Sequence, residues 1–221
     1  MLVLAGASAL GVALIVTRAI LLWRGQHLFL AWNLFLAWVP LLLALRLEHQ
    51  LSNGAGRAAR WLTGLGWLFF LPNAPYILTD LTHLKPFIRW SWWTDLLLIL
   101  WFAVIGLVLA FLALHRMQLL VARRRGWLTG WAFVVAVAFL CGFGVYLGRF
   151  ERWNSWDVVT NPTGLLADSL SWLHGHAARF TLLFGLFLST THALLYSLTL
   201  VGRTERVPAV IPTNRLERPT A

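Results

Sequence analysis

Long apolar stretches constrain this 221-residue chain more than any other feature. A helix needs about 20 mainly apolar residues to cross the roughly 30 Å hydrocarbon core of a bilayer. Six segments meet this requirement, at residues 1–17 (extended toward residue 23), 28–45, 61–78, 92–114, 127–147 and 177–201. Only 12% of the residues are charged, against about 25% in ordinary soluble domains. We therefore predict an all-α membrane protein with six transmembrane helices.

The segments between and after these spans complete the predicted organisation. Residues 1–201 are expected to form a single six-helix domain, followed by a disordered cytoplasmic tail at residues 202–221, which contains three prolines among charged residues. Between residues 163 and 173, leucines recur at helical spacing with polar residues elsewhere around the helix. This pattern predicts a short amphipathic helix on the outer surface before the last span.

The distribution of basic residues predicts the orientation. With six spans, the two termini share one side with the loops after spans two and four. That side holds 11 of the 18 basic and three of the eight acidic residues, which leaves net charges of +8 there and +2 on the other side. Because loops rich in Lys and Arg are retained in the cytoplasm, both termini are predicted to lie on the cytoplasmic side of a bacterial inner membrane. The basic excess lies in short loops, so we expect membrane lipids and no nucleic acid as partners.

The end of the third predicted span carries an unusual polar segment, which reads LPNAPYILTDLTH at residues 71–83. Pro72 and Pro75 lack backbone donors and break the helical hydrogen bonds. Lipid permits such a break only where protein or water replaces the lost bonds, so the break should line a cavity. If the helix resumes after Pro75, spacings of three, four and three place four polar residues on one face: Asn73, Tyr76, Asp80 and His83.

A second polar segment, RFERWNSWD at residues 149–157, follows the fifth span and lies on the same predicted outer side. Asn33 in the second span and Asp95 at the start of the fourth also lie near that surface. Ionisable and amide side chains at membrane depth are costly and often functional. The sequence therefore predicts a ligand-binding site built from Asn33, Asn73, Tyr76, Asp95, Arg149, Arg152, Asn154 and Asp157.

These motifs resemble a family of bacterial integral membrane proteins, domain of unknown function 1361. The resemblance is carried by WNLFLAWVPLLLA (residues 32–44), FLPNAPYILTDLTHL (70–84), WWTDLLL (92–98) and GFGVYLGRFERWNSWDVV (142–159). It implies a six-helix membrane fold. It supplies no substrate and no catalytic residues.

Two chemical roles are open for the acidic and imidazole groups. Asp80, His83 and Glu151 are candidate catalytic residues, since burial raises the pKa of a carboxylic acid and an Asp–His contact orients the ring. Alternatively, these carboxylates only neutralise Arg149 and Arg152. Asp80 and His83 would also be the ligands if a metal is bound, although no paired-histidine motif accompanies them. The sequence does not determine whether a cofactor is bound.

The leading functional hypothesis is a polar pocket on the outer side that binds a lipid or polyprenyl head group. Whether the protein also modifies this group is left open. Arg149 and Arg152 would hold the anion. One alternative is a transporter that uses the proline-broken third span. Another is a non-catalytic assembly or structural component. His192 and Tyr196 in the last span are interpreted as interhelical hydrogen-bonding residues in preference to a proton path. The pattern does not determine the oligomeric state.

Overall fold

The computed structural model describes residues 1–22, 27–84, 91–170 and 175–204, which are helical throughout apart from short connections and contain no strand. The α-helices are α1 Leu2–Leu22, α2 Phe29–Ser52, α3 Arg57–Phe70, α4 Asn73–Tyr76, α5 Ser91–Arg125, α6 Trp127–Arg149, α7 Asp157–Thr160, α8 Pro162–Leu170 and α9 Gly175–Thr204. A 3₁₀ helix, Ile77–His83, follows α4 directly. The predicted all-α class is confirmed.

Five helices, α1, α2, α5, α6 and α9, are each long and apolar enough to cross a membrane. The third predicted span, at residues 61–78, is not one of these helices. Its main helix, α3, has 14 residues and is therefore only about 21 Å long. It ends at Phe70 because Pro72 and Pro75 cannot donate the hydrogen bonds that would continue it. The predicted break is confirmed, and the segment continues as α4 and the 3₁₀ helix.

Helix α5 runs well beyond the predicted end of the fourth span at residue 114. It continues to Arg125, so the three arginines at 123–125 form its last turn and not a connecting loop. Basic side chains are favourable there because they oppose the partial negative charge at a helix C-terminus. Gly126, with φ +92°, then makes the one-residue link to α6. Such a left-handed backbone angle favours glycine, which has no Cβ.

The described helices share one apolar core that extends from Ile15 on α1 to Leu188 on α9. α6 packs on α9, α2 packs on both α3 and α5, and α5 also packs on α6. Large apolar side chains remain exposed on the outside of the bundle, for example Leu62 and Leu183. An extensive apolar exterior of this kind suits contact with lipid.

Two glycines allow the broken segment to enter this bundle. A Cβ on Gly106 of α5 would collide with the backbone oxygen of Ala74, and a Cβ on Gly144 of α6 would lie 2.6 Å from Cγ of Pro72. The helix break therefore lies against α5 at Ala74 and against α6 at Pro72, at separations that only glycine permits. α4 also packs on α2.

The short helix predicted between residues 163 and 173 corresponds to α8, which ends at Leu170, and residues 171–174 lie outside the described ranges. The predicted tail begins inside α9, which continues to Thr204. Residues 205–221, which make up most of the predicted tail, also lie outside the described ranges.

Candidate functional site

The loop after α6 supplies hydrogen bonds that the broken third helix has lost. The last carbonyls of α3 have no helical N–H partner. Asn73 Nδ2 donates to the Phe70 carbonyl at 3.0 Å and to Ser155 Oγ at 2.7 Å. Ser155 Oγ in turn donates to the Phe69 carbonyl at 3.1 Å. Ser155 was not predicted as a site residue. The signal that could have found it is the helix break, whose free backbone carbonyls need a hydrogen-bond donor from a polar side chain.

A buried carboxylate links the 3₁₀ helix to α2 and α6. The side chain of Asp80 is 1% exposed. Its Oδ2 accepts a hydrogen bond from Asn33 Nδ2 at 2.8 Å, while its Oδ1 lies 3.4 Å from Arg149 Nη1 and 3.7 Å from His83 Nδ1. Burial disfavours the charged form of the Asp80 carboxylate, and the Asn33 hydrogen bond and the Arg149 charge offset that cost. The ionised carboxylate therefore depends on its two polar neighbours.

Arg149 makes several contacts within this network. Besides Asp80, its guanidinium contacts the hydroxyl of Thr82, and its Cζ lies 6.0 Å from the centre of the Tyr76 ring, at the limit of a cation–π interaction. His83, with its side chain about half exposed, lies 3.5 Å from Arg149 Nη2. The arginine thus ties the end of α6 to the 3₁₀ helix.

Asp80 lies outside the lining of the cleft to which Tyr76 belongs, although an α-helix was predicted to place both residues on one face. A 3₁₀ helix has 3.0 residues per turn, so four residues turn the chain by about 120° beyond a full circle, instead of about 40° in an α-helix. Asn73 and Tyr76 lie on α4 and line a cleft, whereas Asp80 is turned into the protein toward Asn33 and Arg149.

That cleft has a volume of about 520 Å³ and lies between the start of α2, the helix break and the end of α6. One part of its wall is apolar and is formed by Leu36, Leu68, Phe69, Leu140 and Phe143. The polar part is formed by Asn33, Asn73, Tyr76, Arg152, Asn154 and Ser155. The cleft is therefore amphipathic.

Arg152 gives the cleft its charge. It is the one charged side chain among the lining residues, and it makes no ion pair with any residue in the described ranges. Its backbone has φ +61°, which is uncommon for a residue with a Cβ and turns the chain sharply after α6. Arg149 and Arg152, three residues apart, thus have different surroundings: Arg149 is paired with Asp80, and Arg152 faces the cleft.

The remaining predicted site residues lie away from the cleft lining. Asp95 pairs with Arg18 and lies 3.7 Å from His27. Glu151 accepts a hydrogen bond from Tyr146 at 3.3 Å. Asp157 accepts from the backbone N–H of Asn154 at 2.7 Å, and this bond lowers the pKa of its carboxyl.

Asp80 and His83 are adjacent, as a metal site at this pair would require. Three or more ligands are needed to hold a metal ion firmly in a protein. Within residues 1–22, 27–84, 91–170 and 175–204, no group of three or more His, Cys, Asp or Glu residues is arranged to hold one. The described residues therefore provide only two of the ligands that such a site needs.

Comparison with known proteins gives one match. The model of the family described as Protein of unknown function (DUF1361) matches residues 32–191, which include both polar segments and the entire cleft lining. No curated protein and no solved structure matches the chain.

Proposed function

The chain belongs to the DUF1361 family of proteins of unknown function, and from its own site we propose that it binds the head group of an anionic amphiphile in the cleft beside the helix break. The amphiphile is a membrane lipid or a polyprenyl compound. The observation that carries this proposal is an arginine that lines a cleft together with apolar side chains and makes no ion pair with any residue in the described ranges.

The two parts of the cleft match the two parts of such a ligand. Arg152 presents a planar, permanently charged guanidinium that suits two-point contact with a phosphate. Leu68, Leu140 and Phe143 offer an apolar wall along which a hydrocarbon chain gains the free energy of burial. A soluble anion would leave that wall unused, and an uncharged lipid would leave the arginine unpaired.

We propose positioning roles for Asp80 and Arg149. Asp80 lies outside the cleft lining, and its oxygens already accept from Asn33 and Arg149. Asn33 donates to Asp80 and also lines the cleft, so the buried carboxylate orients the Asn33 side chain at the cleft. Asp80, His83 and Glu151 do not line the cleft, so the proposal gives them no contact with the ligand. A catalytic role for these three residues stays a prediction.

We place the protein across the cytoplasmic membrane with six crossings and both termini inside. In this proposal α3, α4 and the 3₁₀ helix together make the third crossing, because they run on from one another beside α2 and α5. Their combined length is about 40 Å at the helical rises of these elements, enough for the roughly 30 Å core. The cleft then opens on the outer side.

Cysteine labelling tests this orientation. In a Cys141→Ala background, a membrane-impermeant thiol reagent is expected to label Asn154→Cys in intact cells, because Asn154 is exposed beside the cleft. Ser52→Cys, exposed at the end of α2, is the control and should be labelled only after the membrane is permeabilised. Labelling of Ser52→Cys alone in intact cells would reverse the proposed orientation.

Replacing Arg152 tests the anion site. Arg152→Gln is expected to weaken binding of phosphatidylglycerol by about tenfold or more, because a hydrogen bond to a charged group contributes roughly 1.5–3 kcal/mol. Native mass spectrometry of the detergent-solubilised protein measures the bound fraction, with phosphatidylcholine of the same acyl chains as the zwitterionic reference lipid, whose net charge is zero.

The matched control for this variant is Arg179→Gln, which removes an exposed arginine of α9 outside the cleft. It should leave phosphatidylglycerol binding unchanged. Equal losses in the two variants would mean that general surface charge attracts the lipid, and the proposed cleft site would be wrong.

A transporter receives less support from the described residues. Near His192 a second cavity of about 30 Å³ is lined by apolar side chains and by Thr191 and His192. It borders Leu71 and Pro75 and shares no lining residue with the amphipathic cleft. His192 Nε2 hydrogen-bonds to Gln118 Oε1 at 2.8 Å, a contact that joins α9 to α5. This buried contact favours the interpretation of His192 as a structural residue.

A further inference from the structure

We infer that the head group bound in the cleft carries hydroxyl groups beside its phosphate. This inference rests on the proposed function and narrows its ligand to a phosphate ester of glycerol or of a sugar. The reason lies in three asparagines that line the cleft. In each of them the amide nitrogen donates a hydrogen bond to the protein, and the amide oxygen accepts none from the described residues.

Asn33 shows the arrangement most directly. Its Nδ2 donates to the carboxylate of Asp80 at 2.8 Å. A carboxylate only accepts, so this bond determines which end of the amide is the nitrogen. Oδ1 of Asn33 then accepts no hydrogen bond from the described part of the chain, and it is not among the buried polar atoms that lack a partner. It remains available at the cleft.

Asn73 has both of its amide hydrogens engaged. They are donated to the Phe70 carbonyl and to Ser155 Oγ, and the carbonyl again determines the orientation of the amide. Ser155 uses its own hydrogen on the Phe69 carbonyl. Neither side chain therefore has a hydrogen left to donate to a ligand, and Oδ1 of Asn73 is an acceptor without a donor among the described residues.

Asn154 repeats the pattern at the rim. Its Nδ2 lies 3.3 Å from Oδ2 of Asp157, which also accepts the backbone N–H of Asn154 at 2.7 Å. The amide oxygen is again the end left for the cleft. Three amide oxygens, the Tyr76 hydroxyl and one cation thus belong to residues that line a single site.

This set of groups discriminates between head groups. A phosphate oxygen only accepts hydrogen bonds, so it matches Arg152 and cannot satisfy an amide oxygen. Hydroxyl groups beside the phosphate donate to amide oxygens, and an unsatisfied buried acceptor would otherwise cost free energy on binding. Choline has no N–H or O–H to donate. An ammonium group does, but the cleft lining offers it no carboxylate and already holds Arg152.

The test compares phosphatidylglycerol with phosphatidylpropanol of the same acyl chains. The two lipids carry the same charge, and phosphatidylpropanol lacks the two hydroxyl groups. Native mass spectrometry of the detergent-solubilised full chain should show about tenfold tighter binding of phosphatidylglycerol, as expected for hydrogen bonds to otherwise unpaired acceptors. Equal affinities, or tighter binding of phosphatidylethanolamine, would overturn the inference.

A variant on the protein side gives independent evidence. Asn154→Ala, at an exposed position, is expected to reduce the preference for phosphatidylglycerol over phosphatidylpropanol from about tenfold to roughly threefold. The control Asn53→Ala, at the exposed end of α2, should leave the preference at its original value. An unchanged preference in Asn154→Ala would contradict the role given to its amide oxygen.

Two further measurements separate this inference from the proposed function. If the two lipids bind equally but Arg152→Gln weakens both, the hydroxyl inference is wrong and the anionic site stands. Glycerol 1-phosphate alone should bind at least about a hundredfold more weakly than phosphatidylglycerol, because it leaves the apolar wall uncovered. Comparable binding of glycerol 1-phosphate would show that the site serves a free phosphate ester and would overturn the amphiphile proposal itself.

Discussion

Replacing Arg149 by methionine is expected to lower the free energy of unfolding by about 3 kcal/mol or more, because it leaves a buried carboxylate without its cation. Asp80 is 1% exposed and would keep only the Asn33 hydrogen bond and the more distant His83. Methionine preserves much of the apolar stem of arginine, so the loss reports the charge and not a cavity. Thermal unfolding in detergent micelles measures the change.

The loss in Arg149→Met is also expected to depend on pH. Protonation removes the charge of the Asp80 carboxylate, and the neutral carboxyl no longer needs the cation that the substitution removes. Without Arg149 the folded state therefore gains more from binding this proton than the unmodified protein does, so the loss shrinks as acid neutralises the carboxylate. The loss relative to the unmodified protein should therefore be smaller at pH 5 than at pH 8.

An exposed ion pair provides the control for Arg149→Met. Arg116 pairs with Glu48 at 3.0 Å, with the two side chains 48% and 27% exposed. Arg116→Met should cost less than about 1 kcal/mol, as exposed pairs do, with no comparable recovery in acid. Equal, pH-independent losses in the two variants would show that the Asp80–Arg149 pair is not the buried structural link described above.

Replacing Gly106 by alanine is the second substitution expected to have a large effect. The added Cβ would collide with the backbone oxygen of Ala74, and backbone cannot move aside as a flexible side chain can. Overpacking of this kind costs about 1–3 kcal/mol or more. We expect a net loss of about 2 kcal/mol, together with weaker phosphatidylglycerol binding, because Asn73 and Tyr76 on the displaced α4 line the cleft.

Gly6→Ala on α1 is the matched control for Gly106→Ala, since nothing lies within 4 Å of a Cβ at that position. It should leave the stability unchanged or raise it slightly, because alanine has the higher helix propensity. If Gly106→Ala behaves in the same way, the close packing of α4 on α5 does not hold the cleft in place. The thermal midpoint and the lipid-binding measurement together decide the matter.

Much of the architecture was predictable because it depends on local physics. Apolar segments long enough to cross a bilayer identified five helices that could span it, and Pro72 and Pro75 predicted where the third segment breaks. Both follow from side-chain hydrophobicity and from the missing N–H of proline. Five of the predicted ligand-binding residues line one cleft: Asn33, Asn73, Tyr76, Arg152 and Asn154.

The partners of the polar groups were not predictable from their spacing. Asp80 was expected on the face of Tyr76, but a change from α to 3₁₀ geometry turned it inward. Arg149 and Arg152 looked equivalent in one motif, yet the end of α6 at Arg149 and the left-handed backbone of Arg152 separate them. These outcomes depend on local rotations that no periodic pattern encodes.

Hydrophobicity and backbone hydrogen bonding are properties of short stretches of chain, so apolar helices and the break in the third segment could both be predicted from the sequence alone. Which polar side chains bond to one another, and which of them line the cleft, depends on the tertiary structure. That division requires α2, the helix break and the loop after α6 to meet. Asp80 consequently pairs with Arg149 inside the protein, while Arg152 lines the cleft.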